Sequence, residues 1–192
     1  MKNLIVLLAI CQLCSASHAQ ESAGETQSLR CSALAHIHTV ITTPPAFNES
    51  MANSAIFYSD VYLAFREFRT GASSTNGAVS QRQDTIESEL KNTWKSKPAI
   101  VISEMALCNS WRVNFAEKVP SYLATLGTKK PTPQEITQLV GTPPTSPATG
   151  QVEKWRPIVT MAFDAWAETG SLTGGQVRDS VRKQLQETIK KQ

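Results

Sequence analysis

Few side chains of this 192-residue sequence are spaced to do chemistry together. Apart from His18, its histidines form the run His36-Ile37-His38. On a helix, residues two apart point about 200° away from each other, so this pair cannot ligate one ion. His38 shares a helix face with Cys31, seven residues earlier. Two soft ligands fall short of the three or four that zinc takes, so no metal is expected. His36 is expected to be solvated and His38 to sit at the core edge. A nucleophilic pair of Cys108 with His38 would need Cys108 to be a free thiol. No Gly-x-Ser-x-Gly elbow occurs, and no Walker-type or dinucleotide glycine pattern, so no phosphate-bearing cofactor is expected. Glu104 lies four residues before Cys108, near an inward helix face. A single buried acid there could serve a hydrolase; the ordinary fate of such a residue is to meet water or an arginine. Asp164, between Phe163 and Ala165, reads as solvated.

A second group has the chemistry of recognition. Tyr58, Tyr62, Phe65 and Arg69 follow at spacings of four, three and four, with Arg66 beside them. Tyrosine and arginine dominate binding hot spots, so this stripe is a candidate surface for a partner or ligand. The competing reading makes its helix the centre of a bundle, with both apolar stripes buried. A third candidate is the narrow seam Val177, Val181, Leu185 and Ile189, flanked by Arg178, Arg182, Lys183, Lys190 and Lys191. It could dock on a partner helix or an anionic surface, or fold back on the helix before it.

The start of the chain sets the compartment. A basic Met1-Lys2, an apolar run from Leu4 to Leu13, and Ser17-His18-Ala19 read as a signal peptide over 1–19, cleaved after Ala19. The run is too short to span a bilayer. Ile10 precedes Cys11 and Leu13 precedes Cys14, where a lipid-anchor signal needs a small residue, so neither is expected to carry a lipid. Cleavage would leave 173 residues (192 minus 19) and a formal charge of +2, down from +3 by the loss of Lys2. That length supports one sizeable core. No dense Lys/Arg block occurs beyond the Lys129-Lys130 pair and the Lys190-Lys191 tail, so no nucleic-acid partner is expected. Cys31 and Cys108 remain, and in an oxidising compartment they are expected to form a disulfide. Closing a loop of 77 residues (108 minus 31) would stabilise the fold by about 4.5 kcal/mol.

The elements that must position these residues all read as helices. Gln20 to Glu25 looks polar and frayed. From Gln27, Leu29, Ala33, Ile37, Val40 and Ile41 mark a first helix, stopped by Pro44-Pro45. A second is expected from an Asn48 N-cap to Gly71, carrying the aromatic stripe. A third, with Val79, Ile86, Leu90 and Trp94 on one side, should lie on the outside. The fourth turns Val101, Met105, Cys108, Trp111 and Phe115 inward and is expected to stop at Pro120. Thr132-Pro133-Gln134-Glu135 is a capping box for a short helix to Val140. The Pro/Thr-rich stretch 142–150 reads as a linker. Beyond it Val152, Trp155, Ile158, Val159, Ala162 and Trp166 mark a helix that Pro157 should delay, and the basic seam follows Gly174-Gly175. Asn48-Glu49-Ser50 fits the glycosylation acceptor pattern in a loop and is expected to be unused in a bacterial chain.

The fold expected is all-α: a disulfide-linked helical bundle over 20–141 and a C-terminal helical hairpin over 151–192, packed on the bundle or on a partner. The function expected is that of an exported, non-enzymatic binding or accessory protein. It would act by contact with another protein of the periplasm or cell envelope, without spanning the membrane. A carrier of a small hydrophobic ligand near Tyr58, Tyr62 and Trp111, and a hydrolase using Glu104, are the alternatives.

Overall fold

The computed structural model describes residues 21–41, 45–73 and 76–168, and prolines, glycines and capping side chains divide these described residues into seven helices. They are α1 (Ala23–Ile41), α2 (Pro45–Thr70), α3 (Asn76–Ser96), α4 (Pro98–Ala116), α5 (Lys118–Leu126), α6 (Pro133–Val140) and α7 (Gln151–Glu168). There is no strand among the described residues, and the architecture is all-α. Residues 1–19 and the seam at 177–189 lie outside the described residues.

Local chemistry explains most of the boundaries. At α6 the Thr132 side chain accepts the Glu135 amide at 3.3 Å while Glu135 accepts the Thr132 amide at 2.7 Å, the reciprocal box its sequence announces. α2 ends where Gly71 takes φ +66°, a conformation costly for any residue with a Cβ.

Four boundaries differ from the sequence expectation. The stretch before Gln27 is not frayed: Ser22 and Glu25 form a second capping box, at 2.7 and 3.2 Å, and α1 starts four residues earlier, at Ala23. α2 begins at Pro45, where a first-turn proline loses no intrahelical bond, so Asn48 is inside the helix and the acceptor triplet is not in a loop. Pro120 does not stop α4. The helix breaks at Glu117, and Pro120 falls in the first turn of α5, where no N–H is needed. α7 runs through Pro157, which is exposed, so the carbonyl it leaves without a partner can face water.

The helix at the centre is α1. Leu29, Leu34 and Ile37 are buried on it together with Ser28, Ser32, His36, His38 and Thr39, and it packs on α2, α3, α4 and α7. A helix buried nearly all round needs small residues where neighbours approach closely. Ser32 supplies this toward α2, with its hydroxyl 2.8 Å from both the Ala55 carbonyl and the Ser59 hydroxyl. Gly24 does so under the Phe65 ring, where a Cβ would sit 2.5 Å from a ring carbon. The disulfide Cys31–Cys108 ties α1 to α4, with the two Cα atoms 5.5 Å apart.

Rings fill the rest. Phe57, Tyr58 and Phe65 of α2 meet Trp111 and Phe115 of α4. On the other side of α1, Trp94 of α3, Trp155, Phe163 and Trp166 of α7, and His38 form a second cluster. The first helix of the expected C-terminal hairpin therefore shares the core of α1, α3 and α4. Segment 142–150 carries no regular element and is pinned where the Ala148 amide donates to Ser110 Oγ at 2.9 Å. No helix among the described residues is long and apolar enough to cross a membrane.

Candidate functional site

The aromatic stripe of α2 is divided between core and polar network. Tyr58 is buried, and its hydroxyl donates to the Cys108 carbonyl at 2.7 Å. Burial pushes its phenol well above the usual range. Tyr62 is fully buried; its hydroxyl accepts from Arg66 at 2.9 Å and donates to Glu21 at 3.5 Å. Phe65 is half-buried against Trp111. Arg69 grips Glu25 with two bonds, at 2.7 and 2.9 Å. The Glu25 carboxylate is fully buried. Burial works against its ionisation, but Arg69, the Ser22 amide and the Ser22 hydroxyl outweigh burial and hold its pKa below the usual carboxylate value. Arg82 of α3 closes the same end of the bundle on Glu21.

The other sequence candidates also have partners within the fold. His36 is buried rather than solvated, with Nδ1 3.0 Å from a carboxylate oxygen of buried Glu87 on α3. His38 is fully buried rather than at the core edge, packed edge-on to Trp155 and Phe163. Burial lowers its pKa to about 4, which keeps the ring neutral. Both carboxylate oxygens of Glu104 accept from Arg30 Nη2, at 2.9 and 2.8 Å. Asp164 is exposed yet accepts the Trp94 indole N–H at 3.0 Å. The space beside Tyr58 and the disulfide amounts to about 20 Å³, roughly one water molecule. Among the described residues there is no group of three or more His, Cys, Asp or Glu able to hold a metal.

A larger concavity lies elsewhere. An open groove of about 480 Å³ separates the first half of α2 from the end of α4 and the start of α5. α2 supplies Ser50, Asn53, Ser54 and Phe57; the other wall is Arg112, Phe115, Ala116 and Val119. It exists because α2 and α4 are held apart by the rings between them, Phe57 stacking on Phe115 with centroids 5.1 Å apart. Exposed Ile56 follows Asn53, and exposed Val113 precedes Ala116, by one helical step of three, so each neighbours a groove residue on its own helix.

Arg112 is the charged member. Arg30, Arg69, Arg82 and Arg156 each meet a carboxylate. Arg112 has none within ion-pair distance among the described residues; its guanidinium donates to the Asn109 side chain at 3.2 Å, and its charge acts on the Tyr58 phenol. Sequence reading passed over this groove. The available signal was an arginine between Trp111 and Phe115, at the border of the inward face of α4.

Comparison of the chain with protein-family models, with curated proteins and with solved structures finds no match.

Proposed function

We propose that the chain is an exported accessory protein that works, without catalysing a reaction, by contact with another protein of the periplasm or cell envelope. The observation carrying this reading is the open groove between α2 and α4–α5, lined by Phe57, Phe115 and Val119, with the exposed apolar side chains Ile56 and Val113 on the same two long helices. Aromatic floors bordered by exposed aliphatic side chains are what protein contacts bury. The disulfide suits an oxidising compartment. A signal peptide over 1–19 belongs to the same proposal. The groove replaces the α2 stripe as the contact surface, since Tyr58 and Tyr62 are buried and Arg69 is committed to Glu25.

A photo-crosslinking residue tests this in cells. With p-benzoylphenylalanine at Ala116, in the groove, one discrete adduct is expected; at exposed Lys95 on α3, none. Ile56→Asp with Val113→Asp should abolish the Ala116 adduct while the circular dichroism stays unchanged. No adduct at Ala116, or the same adducts at both positions, would overturn the reading.

A further inference from the structure

We infer that the groove takes a partner segment in which a carboxylate side chain stands next to an aromatic or aliphatic one, the carboxylate on Arg112 and the apolar group against the stacked Phe57 and Phe115. This rests on the contact reading above and specifies the partner's chemistry.

Charge complementarity selects the carboxylate. Arg112 is half-buried at the groove wall and has no carboxylate partner among the described residues. A guanidinium fork in that position offers paired donors to an incoming carboxylate, and partial burial strengthens the pairing. On the α2 side Asp60, three residues beyond Phe57, does not line the groove, and burial, not a cation, shifts its carboxyl upward. Asn109 holds one edge of the guanidinium and is itself anchored by donating to Gln151 at 2.7 Å, so Arg112 is oriented before any partner arrives.

The shape selects a protein segment over a small amphiphile. Small-molecule sites enclose most of their ligand, whereas this groove is open along its length. Ser50, Asn53 and Ser54 line its α2 wall with side-chain donors and acceptors suited to a peptide backbone. The basic seam of this chain, with Arg178, Arg182 and Lys183, has the wrong sign to sit against Arg112.

The inner end adds a second feature. Ser54 and Arg112 also line the 20 Å³ cavity, which reaches Trp155. The Trp155 indole N–H is buried without a hydrogen-bond partner among the described residues.

Titration of the ¹⁵N-labelled protein with two capped dipeptides tests the assignment. Acetyl-Phe-Asp-methylamide should shift the amides of Ser54, Arg112 and Ala116, and bind about fivefold more tightly than acetyl-Phe-Asn-methylamide. Arg112→Gln should erase that preference, and Arg112→Lys should restore part of it. Equal binding of the two peptides, or shifts mapping elsewhere, overturns the inference. So does octanoate binding more tightly than either peptide, which makes the site one for lipid, or concentration-dependent shifts of the groove amides without probe, which make it a self-contact. An Ala116 crosslink that persists unchanged in Arg112→Gln would sink this inference and leave the contact reading standing; loss of the crosslink in the wild type would sink both.

Discussion

A buried ionisable residue records its environment in the pH dependence of folding, and two such residues of α1 do so in separate ranges. His38 is held neutral by burial with a pKa of about 4, against about 6.5 in an unfolded chain. Between those values the unfolded chain binds the extra proton, so the stability present above about pH 6.5 is lost as pH falls toward 4. The slope is up to about 1.4 kcal/mol per pH unit. Glu25 is lowered from the ordinary carboxylate value of 4.5, so its contribution is present above that value and lost below it, as pH falls through the lowered pKa. Urea unfolding from pH 7.5 to 3.5 should therefore show two stages of weakening. His38→Phe, which keeps a ring against Trp155 and Phe163, should flatten the upper stage and leave the lower one. An unchanged slope between pH 6.5 and 4.5 would show that His38 is not the group responsible. The His36–Glu87 pair was not legible in the sequence. A histidine on α1 and a glutamate 51 residues later become neighbours only when α1 and α3 pack.

At the scale of the element, two helices begin with the same reciprocal cap and differ in what the cap carries. The Thr132 box is exposed and holds only the start of α6. The Ser22 box orients Glu25, whose carboxylate also binds Arg69 of α2. Thr132→Ala is expected to cost about 1 kcal/mol, the usual worth of an N-cap. Ser22→Ala should cost at least as much and loosen the end of α2, which hydrogen exchange of the Arg69 and Thr70 amides would report. Equal protection of those amides in both variants would remove the proposed coupling. The Thr132 box was read correctly from four residues, because capping chemistry is local. The Ser22 box has the same pattern, Ser-Ala-Gly-Glu, but its polar composition disguised it as a frayed end. The stop expected at Pro120 and the delayed start expected at Pro157 failed for different reasons. Pro120 falls in a first turn, where no N–H is needed, and Pro157 is interior to α7 but exposed, so the carbonyl it leaves over can face water.

For the whole molecule, the disulfide and the two aromatic clusters share the work of holding α1 in place. Cys31 and Cys108 close 77 residues, and replacing both by alanine should lower the unfolding free energy by about 4 kcal/mol while leaving the helical content intact. The helices would persist because the apolar contacts of α1 with α2, α3, α4 and α7 remain. Collapse of the circular dichroism signal in the double variant would show instead that the covalent tie is indispensable to the bundle.

The sequence alone settled what depends on neighbours along the chain. Helical spacing marked the inward face of α4, Gly71 ended α2, and an even count of two cysteines in a chain read as exported predicted their pairing. Tertiary structure alone decided which helix is central, which arginines meet carboxylates, and which aromatic rings face solvent. A ring at helical spacing looks the same whether it packs a core or a partner, since the pattern records that a face is apolar and not what covers it. Tyr62 and Phe57 carry the same signal in the sequence. The first lies buried beneath Arg66 and the second floors an open groove, because α4 stands one ring's width away from α2 at Phe57.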